Sequence, residues 1–398
     1  MESSTSSSPS LVPAPVTEFV FSLDSLYGYL AKLTDRRKQR GIRYSLTTIL
    51  VLAVLAKLCG QDKPSGIADW VNQRRTLWVE ALRLKRAQLP HHSTYRRIFE
   101  SVLSWEELER TLSEFVCQLP QAGQAVVIAI DGKTLRGTIT REDPFGLHLL
   151  AAYLPGAGLV LMQLAVEKDK ENEIVVAPQL LQRLDLRNKV VVGDAMQTQR
   201  GLSLQIVEAD GDYVWVVKDN QPATRQAIEQ LFAPVPPIPG WNNPPTDFRT
   251  ARTVTKAHGR VEERTLTASS LLNGYLDWPG LGQVFKLERR FTTVATGAVH
   301  HEIQYGLSSL TAAEASPERL LAIVRSEWGI ETGLHYRRDV TFHEDHTRMS
   351  HKPQGRVMAC INNLVIGLLN HRGFHNHAHA RRQFDADPAK ALSLILGL

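Results

Sequence analysis

Ala129-Ile130-Asp131-Gly132-Lys133-Thr134-Leu135-Arg136-Gly137 follows an apolar run, Ala125 to Ile130, and puts a carboxylate where that run stops. The run reads as a buried strand over 124–131. A strand that ends on Asp, then Gly, then cationic residues can hold a metal beside a phosphate. A second short run, KVVVGD over 189–194, ends on Asp194 in the same way. Between the two, 147–154 and 159–166 read as strands, joined at Gly156 and Gly158 as a hairpin. A helix is expected at about 173–184, another at 198–209, and a fifth strand at 213–218. The order is three strands, helix, strand, helix, strand, with Asp at the ends of the first and fourth strands.

Upstream the pattern is helical. Leu23, Leu26, Leu30 and Leu33 recur at spacings of three and four, and Ser45 is an N-cap for an apolar helix over 46–58. Further helices are expected at 67–71, 77–84, 93–102 (capped by Ser93) and 105–119. Trp70, Trp78 and Trp105 fall at helical core positions. Downstream, Pro and Gly crowd 233–245 and mark a boundary. Strands then follow at 249–256, 261–268, 283–293 and 302–307, with His258-Gly259 as a turn, and read as an inserted β-rich subdomain.

Ser316-Pro317 opens a long helix, with Pro at the first helical position. At 100° per residue, Ile323, Val324, Ile330 and Leu334 fall in one arc of about 120°, and Glu327 and Glu331 point into the same arc. An acid on an apolar face is costly unless it is paired or metal-bound. Periodicity does not choose between the two glutamates. Two strand-end aspartates and a late helical glutamate, all hard oxygen donors, suit a two-metal phosphoryl-transfer site.

The segments AIDGKTLRG, VVVGDAMQTQ, VKDNQ and WGIETGLHYRRDVTFHED together resemble the DDE transposases of bacterial insertion sequences. The closest group is the ISAs-type, or H-repeat-associated, family. The resemblance runs from about Phe21 to the C-terminus. It implies an α/β fold: a ribonuclease H-like mixed sheet with a β-rich insertion, preceded by an all-helical N-terminal domain. It makes Asp131, Asp194 and Glu331 the catalytic and metal-binding acids, with two Mg²⁺ ions as cofactor (Mn²⁺ substituting). The activity implied is cleavage at the element's ends by water, then attack of the freed 3′-OH on target DNA. A Lys or Arg often stands seven residues after the Glu in the wider superfamily, and Arg338 occupies that place. Relatives tend to carry His before the Trp of this motif, where this chain has Glu327.

The resulting division is a disordered tail at 1–16, a helical domain at 17–120 expected to bind DNA, and a first part of the core at 121–232. The β-rich insertion (233–312), a second part of the core with the Glu helix (313–370) and a basic C-terminal tail and helix (371–398) complete it. Lys133, Arg136, Lys218, Arg96, Arg97, His335 and Arg338 are the candidate DNA contacts. For Lys133, Arg136, Arg96 and Arg97 a solvated face is the competing reading, and for His335 a buried structural role. Glu344-Asp345 is expected to pair with Arg348. The four histidines at 371, 375, 377 and 379 lack a metal-ligand spacing and read as a polar linker.

The net charge is +5, and 337–382 alone holds eight Arg/Lys against three acids. With the run at 36–43, this suits a polyanion such as DNA. Three separated cysteines point to a reducing compartment. No secretory start and no bilayer-length apolar run stand in the sequence. A soluble cytoplasmic protein is expected, nucleoid-associated when bound to DNA and a homodimer on two DNA ends, with no membrane partner. Two rivals remain: a structure-specific Mg²⁺-dependent nuclease on the same core, and a non-catalytic DNA-binding derivative of a transposase.

Overall fold

The computed structural model describes residues 22–40, 42–124, 126–167, 172–234, 247–257, 259–347 and 349–397. The expected tail at 1–16, most of the Pro/Gly-rich boundary, His258 and Arg348 lie outside the described residues.

Seven helices come first: α1 (Leu26–Ala31), α2 (Leu46–Leu58), α3 (Pro64–Gln73), α4 (Arg75–Ala81), α5 (His92–Arg97), α6 (Trp105–Cys117) and α7 (Pro120–Gln124). Ser45 caps α2 by accepting the amide of Thr48 at 3.0 Å. Almost every side chain of α2 is buried, as an all-round apolar helix requires. Ser93 is not the cap expected of it: α5 starts at His92, and the His91 ring accepts the Ser93 amide. Beyond Arg97 that helix continues as one π-turn, Ile98–Val102. Trp70 and Trp78 are core residues, and Trp105 is partly buried against the core.

The remaining elements are β1 (Val127–Leu135), β2 (Leu147–Leu154), β3 (Leu159–Val166), α8 (Glu173–Leu181), β4 (Val190–Gly193), α9 (Arg200–Glu208), β5 (Asp212–Val217) and α10 (Pro222–Leu231). They are followed by β6 (Arg249–Ala257), β7 (Arg260–Ser269), β8 (Gln283–Thr293), β9 (Val299–Ser308), α11 (Pro317–Ile330), α12 (Lys352–His371), α13 (His377–Ala386) and α14 (Pro388–Leu396). Among the described residues nine strands form one mixed sheet in the order β3-β2-β1-β4-β5-β9-β8-β7-β6. β2 runs antiparallel to both β1 and β3, whereas β4 and β5 run parallel to β1.

One expectation changes here. Asp131 does not end its strand, because β1 runs on to Leu135 paired with β2. What stops at Ile130 is the pairing with β4, so Asp131 stands at the first position without a parallel neighbour. The β-rich stretch after the Pro/Gly boundary continues the same sheet. Its last strand, β9, pairs antiparallel with β5 and covers an edge that would otherwise be open. Gly306 permits this closeness, since a Cβ there would stand 2.1 Å from Phe285 Cζ and 2.5 Å from the Trp215 carbonyl oxygen. The sheet curls enough that α11 packs on β1, β4 and β5 and also on β6 and β7.

Ser316 caps α11 by accepting the Arg319 amide, and two π-turns, Glu331–His335 and Arg337–Thr341, carry the helix onward. Part of the basic stretch that follows is turned inward, while Arg372 and Arg382 stay exposed. Arg338 is wholly buried, with Nε 2.9 Å from Glu344 Oε2. Arg381 donates to the carbonyls of Lys57 and Thr341 and pairs with Asp62 at 2.6 Å. Arg337 donates to Asn370 at 2.7 Å, and Arg356 pairs with Glu167 at 2.5 Å. Charge counted along the sequence thus overstates the cationic surface, because these guanidiniums are engaged by carboxylates and carbonyls of the chain itself. Residues 377–396 form two helices, with α13 and α14 packed on α2 and α14 also on α1.

Candidate active site

Parallel register brings the two aspartates together. Ile130 is paired with Gly193, so Asp131 and Asp194 are the next residues on adjacent strands, which lie about 4.8 Å apart. Asp131 Oδ1 accepts the amide of Gly132 at 2.9 Å. Asp194 caps a 3₁₀ turn, its Oδ1 accepting the amides of Met196 (3.0 Å) and Gln197 (3.3 Å). The C-terminal end of α11 closes the other side. A cavity of about 300 Å³ lies between strands and helix, lined by Asp131, Asp194, Glu327, Trp328 and Glu331 among others.

Both glutamates that share the helical arc therefore reach the cavity, in different company. Glu331 is exposed and lies with Asp131 around His335, whose Nδ1 is 3.4 Å from Asp131 Oδ2 and 3.7 Å from Glu331 Oε2. Ligand atoms of Asp131, Glu331 and His335 lie within 4.8 Å of one another, the one such metal-capable group among the described residues. Glu327 instead has Asp194 as its chief charged neighbour.

The electrostatics are those of acids short of positive charge. Burial, then Glu331 and Glu173, push Asp131 up to about 8. Burial and Asp194 push Glu327 up to about 7, opposed by Lys218. Asp194 is raised by burial and by Glu173. His335 is driven down to about 3 by burial, with Arg338 and Lys133 adding to it, so its ring is neutral at physiological pH. A carboxylate raised in the folded state contributes stability that is complete below its unfolded pKa, near 4, and lost as pH rises through the folded one. In chelator, the melting temperature is expected to fall as pH rises from about 6 to 8, the window set by Glu327 and Asp131. Added divalent cation should raise the melting temperature more at pH 8 than at pH 6. Thermal melts at both pH values check this, and equal cation shifts would contradict it.

The candidate DNA contacts separate clearly. Lys133 lies within β1, mostly buried, and its ammonium pairs with Asp339 at 2.7 Å, so it faces neither loop solvent nor an open groove. Arg136 has an exposed side chain, and its amide donates to Asp345 Oδ1 at 2.9 Å. Lys218 is exposed at the end of β5 and acts electrostatically on Asp194 and Glu327. Arg338, expected at the DNA, is inside the protein, because the buried Glu344 carboxylate takes its guanidinium. Arg96 and Arg97 are exposed on α5, and Arg97 lines a cleft of about 700 Å³ with Arg37, Arg43, Arg75 and His91. The early basic run thus converges with α5 on one surface, away from the acids in sequence. The histidines at 371, 375, 377 and 379 form no metal-capable group among the described residues.

Sequence reasoning missed Glu173. It reads as an ordinary first-turn acid after the N-cap Asn172, favourable to the helix dipole. In the fold its carboxylate lies on one face of the sheet against Gly132, accepting from Gln197 at 3.1 Å and held 2.8 Å from His148 Nε2. The signal present in the sequence was Gly132, which leaves room for it.

Comparison with known proteins gives concordant results. Residues 122–367 match the family described as Transposase DDE domain, and 27–116 match the one described as DDE_Tnp_1-associated. The chain is 28% identical to "Putative transposase YncI" of Escherichia coli O157:H7, over 87% of this chain and 88% of that one. It is 26% identical to "H repeat-associated putative transposase YhhI" of Escherichia coli K12, over 87% and 90%. Among solved structures, the piggyBac transposase synaptic complex with hairpin DNA aligns over 91% of this chain and 76% of that one, at 11% identity and TM-score 0.38. No helix among the described residues is long and apolar enough to cross a membrane.

Proposed function

Because the chain belongs to the Transposase DDE family, and so to enzymes acting on DNA, we propose that it cuts DNA at the ends of a mobile element and joins them to target DNA. The observation that carries this reading is the register that sets Asp131 beside Asp194, with Glu331 across one cavity. We read the β3-β2-β1-β4-β5 half of the sheet as ribonuclease H-like, on its order and strand directions. In this division 17–120 binds the ends, 121–232 with 313–370 is the catalytic core, and 233–312 extends its sheet.

Divalent-metal use follows from the family, and the donor set fits it. Hard carboxylate oxygens converge, burial and the neighbouring charges hold a proton on Asp131, and a dication would replace it. Asp131, Asp194 and Glu331 would hold two Mg²⁺ ions, with Mn²⁺ as a substitute. When bound, such ions lower the pKa of an attacking water and stabilise the leaving oxygen. Water oxygen attacks the scissile phosphorus, the bond to the 3′ oxygen breaks, and a 3′-OH is freed. That hydroxyl then attacks a target phosphodiester, forming a new P–O bond and releasing the target's own 3′-OH. His335, neutral and buried, orients Asp131 through Nδ1, and Lys218 at the rim meets a phosphate. The Arg37–Arg43–Arg75–Arg97 cleft tracks the backbone of end DNA. Work on two ends calls for a homodimer, in the cytoplasm at the nucleoid.

The experiment is purified protein with labelled DNA from the borders of its own gene, plus Mg²⁺. Joined end–target product is expected. Hydrolysed ends with no joined product would make it a nuclease. Mg²⁺-indifferent binding without cleavage would make it a DNA-binding derivative.

A further inference from the structure

Gly132 follows Asp131 in β1, and successive strand residues face opposite sides of a sheet. The side of Gly132 is already filled. A Cβ there would stand 2.2 Å from Glu173 Oε1 and 2.5 Å from His148 Nε2. Glu173 thus lies on the sheet face opposite the Asp131 side chain, pressed against the backbone that carries it. Both its oxygens are engaged, Oε1 by His148 on β2 and Oε2 by Gln197 just after β4. His148 Nδ1 is in turn 2.8 Å from Thr134 Oγ1 on β1. One carboxylate therefore braces β2, β1 and the end of β4 directly behind the two aspartates.

We propose that Glu173 is a positioning residue for the cation site: pinned between His148 and Gln197 against Gly132, it fixes a negative charge behind Asp131 and Asp194 and raises the affinity of that edge for divalent cations. The inference rests on the reading that Asp131 and Asp194 bind a cation. Glu173 is not itself a ligand, since both oxygens are taken by the protein. A purely structural ion pair with His148 would explain the brace, but its charge also reaches the site: Glu173 is the leading charged neighbour of Asp194 and the second of Asp131. Partners of this kind that orient ligands and tune the metal typically change affinity about 10–100-fold when removed.

The probe is Mn²⁺ alone, titrated into the full chain by calorimetry and by loss of its free electron-spin resonance signal. Glu173→Gln keeps the shape and removes the charge. Mn²⁺ binding is expected to weaken about 10-fold or more, with the melting temperature of the metal-free protein unchanged or higher. Asp131→Asn, run alongside, should weaken binding further. If Asp131→Asn weakens binding and Glu173→Gln does not, Glu173 is only a brace and the proposal is wrong. If neither weakens it, the cation reading fails and takes the proposal with it. Should Glu173→Gln not fold, Glu173→Asp carries the test. It keeps the charge but cannot hold both donors, so Mn²⁺ binding within a few-fold of the parent supports the proposal, and a loss of about 10-fold or more makes Glu173 a brace only and overturns it.

Discussion

Asp131→Asn is expected to reduce end cleavage and joining at least about a thousand-fold, roughly 4 kcal/mol of transition-state stabilisation. Groups that merely orient ligands are worth about 10–100-fold, and Asp131 is proposed to touch the cation itself. The same change should leave the metal-free protein at least as stable as the parent. Asp131 is held up to about 8 by burial and by the Glu331 and Glu173 charges, so its ionised form is a strain on the fold that Asn removes. Loss of function with a gain in stability is the signature of a site whose residues are kept for chemistry. Single-turnover cleavage assays and thermal melts in chelator measure the two halves. Activity within ten-fold of the parent would remove Asp131 from the mechanism. Lost activity with a much lower melting temperature would mark it as structural.

The second large effect lies away from the acids. Arg338→Met is expected to destabilise the protein by about 3–5 kcal/mol, because it leaves the Glu344 carboxylate buried without its partner. Asn362 donates to the other Glu344 oxygen at 2.8 Å but carries no charge to offset it. Adding Glu344→Gln to Arg338→Met should recover much of the loss, since a buried pair replaced on both sides is often near neutral. Denaturant titrations of the two single variants and the double variant give the coupling. A single-variant cost below about 1 kcal/mol would show that Arg338 is not needed to compensate Glu344. If Arg338 instead met DNA, the single variant would fold normally and bind less tightly.

What could be read beforehand, and what could not, follows from the range of the forces involved. Asp131 and Asp194 were legible because burying a strand leaves a long apolar mark that a carboxylate interrupts. The end of β1 was misplaced because Gly132, Lys133 and Thr134 look like a loop, yet β2 supplies the pairing that keeps them extended. Periodicity pointed both Glu327 and Glu331 inward and could say no more, and the cavity takes both. Glu173 escapes a sequence reading for a different reason. Its local role at a helix start is satisfied whether or not the helix abuts β1, and only the packing of α8 brings it to Gly132. Arg338 and Arg381 were misjudged because a count of charges says nothing about which of them have an internal anion to neutralise.

The curl of the sheet, which brings α11 onto β6 and β7 as well as β1, β4 and β5, has a mechanical consequence. The aspartates stand on β1 and at the end of β4, third and fourth of the nine strands, and α11, which leads into Glu331, reaches from these strands to the far edge at β6 and β7. The gap between Glu331 and the two aspartates is therefore set by contacts at both places and not by strand register alone.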